Sequence, residues 1–142
     1  MKSLIVRGAD LVTPNAPEAE ILTGKVVETV DGQRRAAEAL LEAGAKAALV
    51  KGGHIEDAVI CDVLQTQYEE HIIEGPRLDS EQTHGTGCTL ASGIATLHGG
   101  GLDLPDAVRA ARSHLTESIR QAPGFGRGPG PVHHGWNFKT IP

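Results

Sequence analysis

The feature that most restricts how this 142-residue chain folds is Ala47-Ala48-Leu49-Val50, four apolar residues in succession, followed at once by Lys51-Gly52-Gly53-His54. A strand with one wet face alternates apolar and polar residues. An unbroken apolar run is expected where both faces of a sheet are covered. Aromatic residues make up only 3% of the chain against 39% for all apolar types, so the core must come from Leu, Val, Ile and Ala. That supply suits helices packed on a sheet better than an aromatic-rich all-β domain.

The flanking segments agree with a layered α/β arrangement. Leu11-Val12-Thr13 has the pattern of a short strand stopped by Pro14, and Pro17 opens a short helix over 18–22 that Gly24 closes. Asp31 is placed to cap a helix over 33–42, whose Ala36, Ala37, Leu40 and Leu41 share one face and which Gly44 ends. Residues 58–64 and 68–73 read as strands, with a hairpin through Gln65-Thr66-Gln67. A helix is predicted over 87–97, stopped by Gly99-Gly100-Gly101. Another is predicted over 104–120, with Asp103 near its start and Ala107, Val108, Ala111, Leu115 and Ile119 along its apolar stripe. Residues 123–131 carry four glycines and three prolines, so 123–142 is expected to be an irregular tail. Residues 1–9 suit either the end of a helix or a short strand. At 14.9 kDa the chain has the size of one domain.

Composition narrows the function. A net charge of −5 and a pI near 5.8 lack the basic footprint of a nucleic-acid binder. Cys61 and Cys88 form neither a CxxC pair nor a disulfide framework, which points to a reducing cytoplasm. No stretch approaches the ~20 apolar residues of a membrane span, and residues 1–8 lack the apolar run of a secretory signal. The seven histidines are scattered, apart from His133-His134 in the tail, so no zinc site is expected. Cys61, within a strand pattern, is most simply core.

Three features fall at strand ends or helix starts, where open α/β sheets bind ligands. The first is Thr83-His84-Gly85-Thr86-Gly87-Cys88-Thr89-Leu90, a glycine-rich turn running into a helix. The amides of Gly87, Cys88 and Thr89 are expected at this helix start, without intrahelical partners, and make an anion site suited to phosphate. A sulfur in the same field, Cys88, is a candidate proton acceptor; a small buried hydrophobe is the alternative. The second is Lys51, a point charge for phosphate oxygens or a solvated strand-end lysine. The third is Asn15-Ala16-Pro17-Glu18, whose amide and carboxylate oxygens suit a largely hydrated magnesium ion or an ordinary helix cap. Loop polarity alone accounts for Asp79, Thr83 and His84.

Taken in order, Leu11-Val12-Thr13-Pro14-Asn15-Ala16-Pro17-Glu18-Ala19-Glu20, Val50-Lys51-Gly52-Gly53-His54 and Thr83-His84-Gly85-Thr86-Gly87-Cys88-Thr89-Leu90 closely resemble the hydroxymethylpyrimidine/phosphomethylpyrimidine kinases of thiamine biosynthesis. Residues 122–131 resemble that family's carboxyl-terminal signature. The resemblance implies a partial ribokinase-like three-layer α/β/α fold, with a largely parallel sheet and a β-hairpin. It implies ATP and Mg²⁺ as cofactors and phosphoryl transfer to a small pyrimidine. It assigns the anion hole to the amides of Gly85, Thr86, Gly87 and Cys88, the base to Cys88, nucleotide phosphates to Lys51, and magnesium to Asn15 and Glu18. Members of the family are about twice this length, so the chain resembles a carboxyl-terminal half. A half sheet exposes an edge, which implies a homo-oligomer or pairing with the missing amino-terminal half. The alternatives are a catalytically incomplete nucleotide-binding or assembly module, and a pyridoxal kinase-like enzyme.

Overall fold

The computed structural model describes residues 6–55, 59–80, 83–125 and 128–138. By their internal contacts the residues fall into two compact units, Met1–Arg77 and Leu78–Pro142.

In the first unit, Asn15 opens helix α1 (Ala16–Thr23), which has Pro17 in its first turn and ends on Gly24 at φ 71°. Helix α2 (Val30–Glu42) begins three residues before the expected start. Its cap is Thr29, not Asp31: the Thr29 hydroxyl accepts from the Gly32 amide at 3.1 Å. Thr29 has the extended backbone that a cap requires, whereas Asp31 already lies in the first turn. There Asp31 holds Arg34, which also reaches Glu70. The Asp31 bond, then the Glu70 bond, push the guanidinium further toward its charged form.

Strand β1 (Ala47–Val50) is buried along its whole length, as its unbroken apolar run requires. It pairs antiparallel with β2 (Val59–Thr66), and β2 pairs antiparallel with β3 (Glu70–Pro76), in the order β1-β2-β3. The α/β class expected from the sequence is the one observed. Strand direction differs: among the described residues, parallel pairing in this unit is confined to the bridges Val12–Ala48 and Asn15–Lys51. The hairpin turn sits two residues later than expected. Thr66 organises it, its hydroxyl accepting from the amides of Tyr68 and Glu69 at 3.2 and 3.1 Å. Ala58, the expected first residue of that strand, lies outside the described residues. The core of the unit joins Ala16 and Ala19 of α1, Ala36, Ala37 and Leu40 of α2, and Ala48 and Val50 of β1. Cys61, expected in the core, is half-buried.

In the second unit, helix α3 (Thr86–Gly99) ends at Gly100, with Gly101 at φ 102° beyond it. Helix α4 (Leu104–Arg120) has the bounds read from the sequence and buries Ala107, Val108 and Ala111. The two helices approach closely because Gly93 has no side chain: a Cβ there would lie 3.1 Å from that of Ala111. The tail is irregular but tied down. Val132 is buried, the His133 amide donates to the Ser118 carbonyl at 2.8 Å, and the Trp136 ring lies 5.8 Å from that of His114.

Candidate functional site

The first unit brings two of the sequence-predicted features together. Asn15 and Lys51 are partners in a parallel bridge, and the Lys51 amide donates to the Pro14 carbonyl at 2.9 Å. The start of α1 therefore lies beside the end of β1. This bond ends a run in which the Val12 amide donates to the Ala47 carbonyl and the Leu49 amide to the Val12 carbonyl; Pro14 has no N–H to donate, but its carbonyl still accepts.

Asn15 and Glu18 form a complete capping box. The Glu18 amide donates to Asn15 Oδ1 and the Asn15 amide to Glu18 Oε2, both at 2.8 Å. The helix-cap role is thus present in the structure and occupies one oxygen of each side chain. Glu18 Oε1 has no hydrogen-bond partner among the described residues, and Glu18 is exposed. Among those residues no three His, Cys, Asp or Glu side chains are grouped to hold a metal. This donor set fits a hydrated dication shared with phosphate, which needs only one or two protein oxygens. It does not suit a fully protein-ligated ion.

Lys51 is half-buried, and among the described residues no carboxylate pairs with it. The two glycines after it differ. A Cβ on Gly52 would sit 2.1 Å from the Cys61 carbonyl oxygen, so the close approach of this loop to β2 demands glycine. Gly53 has open space around it. Three polar residues not singled out in the sequence hold the loop. Asp62, buried, accepts from the Gly52 amide at 2.9 Å. Gln33, fully buried, donates through Nε2 to the carbonyls of Val50 and Cys61 at 2.9 and 2.8 Å. Arg77 donates to the carbonyls of Gly53 and Ile55. A signal existed for two of them. Gln33 stands on the stripe of Ala36, Ala37 and Leu40, and Asp62 lies beside Val63 in an apolar strand.

The glycine-rich turn belongs to the second unit. Gly85 adopts φ 82°, a left-handed conformation that glycine alone takes without strain, and it begins α3 without a side-chain cap. Its carbonyl accepts from the Thr89 amide and hydroxyl at 2.9 and 2.8 Å, so the Thr89 amide, expected without a partner, is taken by the first helical bond. The Thr86 amide reaches the Thr83 carbonyl only at 3.4 Å. Among the described residues nothing accepts from the amides of Gly85, Gly87 or Cys88. No acidic residue occupies the first turn. The Cys88 side chain is exposed, not a buried hydrophobe. The turn is anchored from the other side by the His84 bridge to Pro131, with the His84 amide donating to the Gly130 carbonyl at 3.1 Å. Thr83 and Asp79 are exposed.

Comparison with known proteins adds a family to this geometry. The sequence model of a family described as phosphomethylpyrimidine kinase matches residues 1–133. The chain is 48% identical, over 129 residues, to a hydroxymethylpyrimidine/phosphomethylpyrimidine kinase of Streptomyces coelicolor, covering 90% of this chain and 47% of that protein. Among solved structures, an ADP complex of Bacillus subtilis pyridoxal kinase superposes with a TM-score of 0.88 at 27% identity, over 94% of this chain and 53% of that one. A phosphomethylpyrimidine kinase from Clostridium difficile 630 superposes with a TM-score of 0.66 at 33% identity, over 81% and 45%. The chain thus spans about half the length of the relatives it matches. No described helix is long and apolar enough to cross a membrane.

Proposed function

The chain belongs to the phosphomethylpyrimidine kinase family, and on that premise we propose that its residues form the nucleotide-phosphate side of an ATP-dependent kinase for hydroxymethylpyrimidine and its phosphate. The observation that carries this reading is the open start of α3, where three main-chain amides lack acceptors among the described residues beside an exposed thiol.

In phosphoryl transfer, charge gathers on the transferred oxygens, and fixed donors stabilise it without reorganising. The amides of Gly85, Gly87 and Cys88, with that of Thr86, supply those donors. The Lys51 ammonium binds the nucleotide phosphates. Glu18, oriented by its bond to the Asn15 amide, would with Asn15 hold a hydrated magnesium ion, which would screen the phosphate charge. The substrate oxygen forms its bond to the γ-phosphorus as the bond to ADP breaks, and the alcohol proton passes to the Cys88 sulfur in its thiolate form. Cytoplasmic location and self-association belong to the same proposal.

The test is a calorimetric titration with Mg-ATP beside a coupled assay for ADP formation with hydroxymethylpyrimidine. We expect ATP to bind, and Cys88→Ala to lower transfer by about 100-fold, the scale of a lost general base, with ATP affinity retained. Absence of any ATP affinity sinks the reading. A second reading is a nucleotide-binding module that turns over only when complemented; the chain covers 47% and 50% of the hydroxymethylpyrimidine/phosphomethylpyrimidine kinases of Streptomyces coelicolor and Bacillus subtilis. ATP binding without ADP formation, with turnover restored by a complementing chain, selects it. Likeness to the Bacillus subtilis pyridoxal kinase favours pyridoxal as the competing substrate in the same assay.

A further inference from the structure

We infer that Asp62 and Gln33 are positioning residues for Lys51, setting where its ammonium meets a nucleotide phosphate; the inference rests on the phosphate role proposed for Lys51. The main-chain ladder between β1 and β2 ends at the pair Val50–Val63. Beyond it, side chains take over the pairing. The Gly52 amide bonds to Asp62 Oδ1 at 2.9 Å, and a single Gln33 amide group bridges Val50 and Cys61, one carbonyl from each strand. Both carbonyls only accept, so the NH₂ of Gln33 must face them.

Lys51 is consequently held on both sides of its Cα by different elements. Its own amide is bonded to Pro14, and the following amide to Asp62. The Ile55 amide closes the loop onto the Gly52 carbonyl at 2.9 Å, and Arg77 clamps its outer carbonyls. An exposed lysine at a strand end requires none of this. Burying an Asp and a Gln beneath a surface loop is costly unless their bonds are made; Gln33 Nε2 and Asp62 Oδ1 make theirs, while the buried Gln33 Oε1 has no partner among the described residues. The bonds made here fix the backbone that carries one cationic side chain. A lysine held this way loses less conformational freedom when it meets phosphate.

The test uses the full chain and titration with Mg-ATP and, separately, with adenosine, which carries no phosphate. Lys51→Ala is expected to weaken ATP about tenfold or more and to leave adenosine unchanged. Asp62→Leu and Gln33→Met are each expected to weaken ATP about three- to tenfold without affecting adenosine, and to add less than about twofold on the Lys51→Ala background, as coupled residues do. Asp62→Asn, which keeps the acceptor for Gly52, is expected to stay within about twofold of wild type. If Lys51→Ala weakens ATP but the Asp62 and Gln33 variants do not, or if their losses add in full to that of Lys51→Ala, the positioning role is wrong. If Lys51→Ala itself leaves ATP affinity unchanged, the phosphate reading falls and this inference falls with it. Should the variants fail to fold, amide exchange in the wild-type chain decides: the Gly52 amide is expected to exchange at least about 100-fold slower than that of Gly53. Equal rates overturn the inference.

Discussion

The helices that begin at Ala16 and at Thr86 each follow a residue held by a single parallel bridge, Asn15 with Lys51 and His84 with Pro131. Their first turns are finished in opposite ways. At α1, Asn15 and Glu18 satisfy each other's amides, and the end of the helix is closed by its own side chains. At α3 the cap residue is a glycine, no acid occupies the first turn, and Cys88 points to solvent. A capping box contributes about 1 kcal/mol to stability. The chain forgoes that at α3 and keeps main-chain donors available. Of the four helices described, α3 is the one with neither a side-chain cap nor an acidic first turn. A closed start serves folding, and an open one is available to an anion.

Substitutions can break or sharpen this contrast. The largest effect is expected at the loop beside the closed start. Gly52→Ala places a methyl 2.1 Å from the Cys61 oxygen and should destabilise the first unit by about 3 kcal/mol or more, read as lower urea resistance by far-UV circular dichroism. Near-wild-type stability means that the loop does not sit against β2 as described. Gly85→Ala comes next, at about 1–2 kcal/mol for a left-handed alanine. Because nothing lies within 4 Å of the added carbon, the loss is one of backbone conformation alone. Trp136, the single tryptophan, lies in the second unit and gives that change a fluorescence signal.

Asn15→Ala opens the closed start and should cost about 1 kcal/mol. An unchanged midpoint would leave the capping box without energetic weight. Thr86→Asp is the smallest and most diagnostic change. A carboxylate in the first turn of α3 should stabilise the helix by about 0.5 kcal/mol while weakening ATP or tripolyphosphate binding through repulsion. A variant that gains stability and still binds either anion equally well shows that the open start is not where phosphate lies.

Local chemistry explains how much of this was legible in the chain itself. The bounds of α4 could be read directly, because its apolar stripe, its Asp103 start and the residues after Arg120 all agree. The closure of α1 by Asn15, Pro17 and Gly24 was equally plain, since caps act over three or four residues. The start of α2 was misplaced. Thr29 and Asp31 are both good caps in isolation, and the backbone conformation at Thr29 made the choice. The hairpin slipped by two residues for a similar reason, the Thr66 hydroxyl selecting its own turn. Among the site residues, Gly85, Thr86, Gly87, Cys88, Lys51, Asn15 and Glu18 stand out by residue type and spacing. Gln33 and Asp62 show only as polar residues in apolar surroundings and Arg77 not at all, because their partners lie 10 to 28 positions away in the chain.

The sequence alone determined the α/β class, the helical segments and the motifs of a kinase family, since periodicity, caps and glycine turns are set by neighbours within a few residues. Only the tertiary structure decided that β1 and β2 run antiparallel and that Gly52, not Gly53, must be glycine. It alone put a buried aspartate and glutamine behind Lys51. Those outcomes depend on which distant main-chain groups come within hydrogen-bonding distance, and no local pattern encodes that.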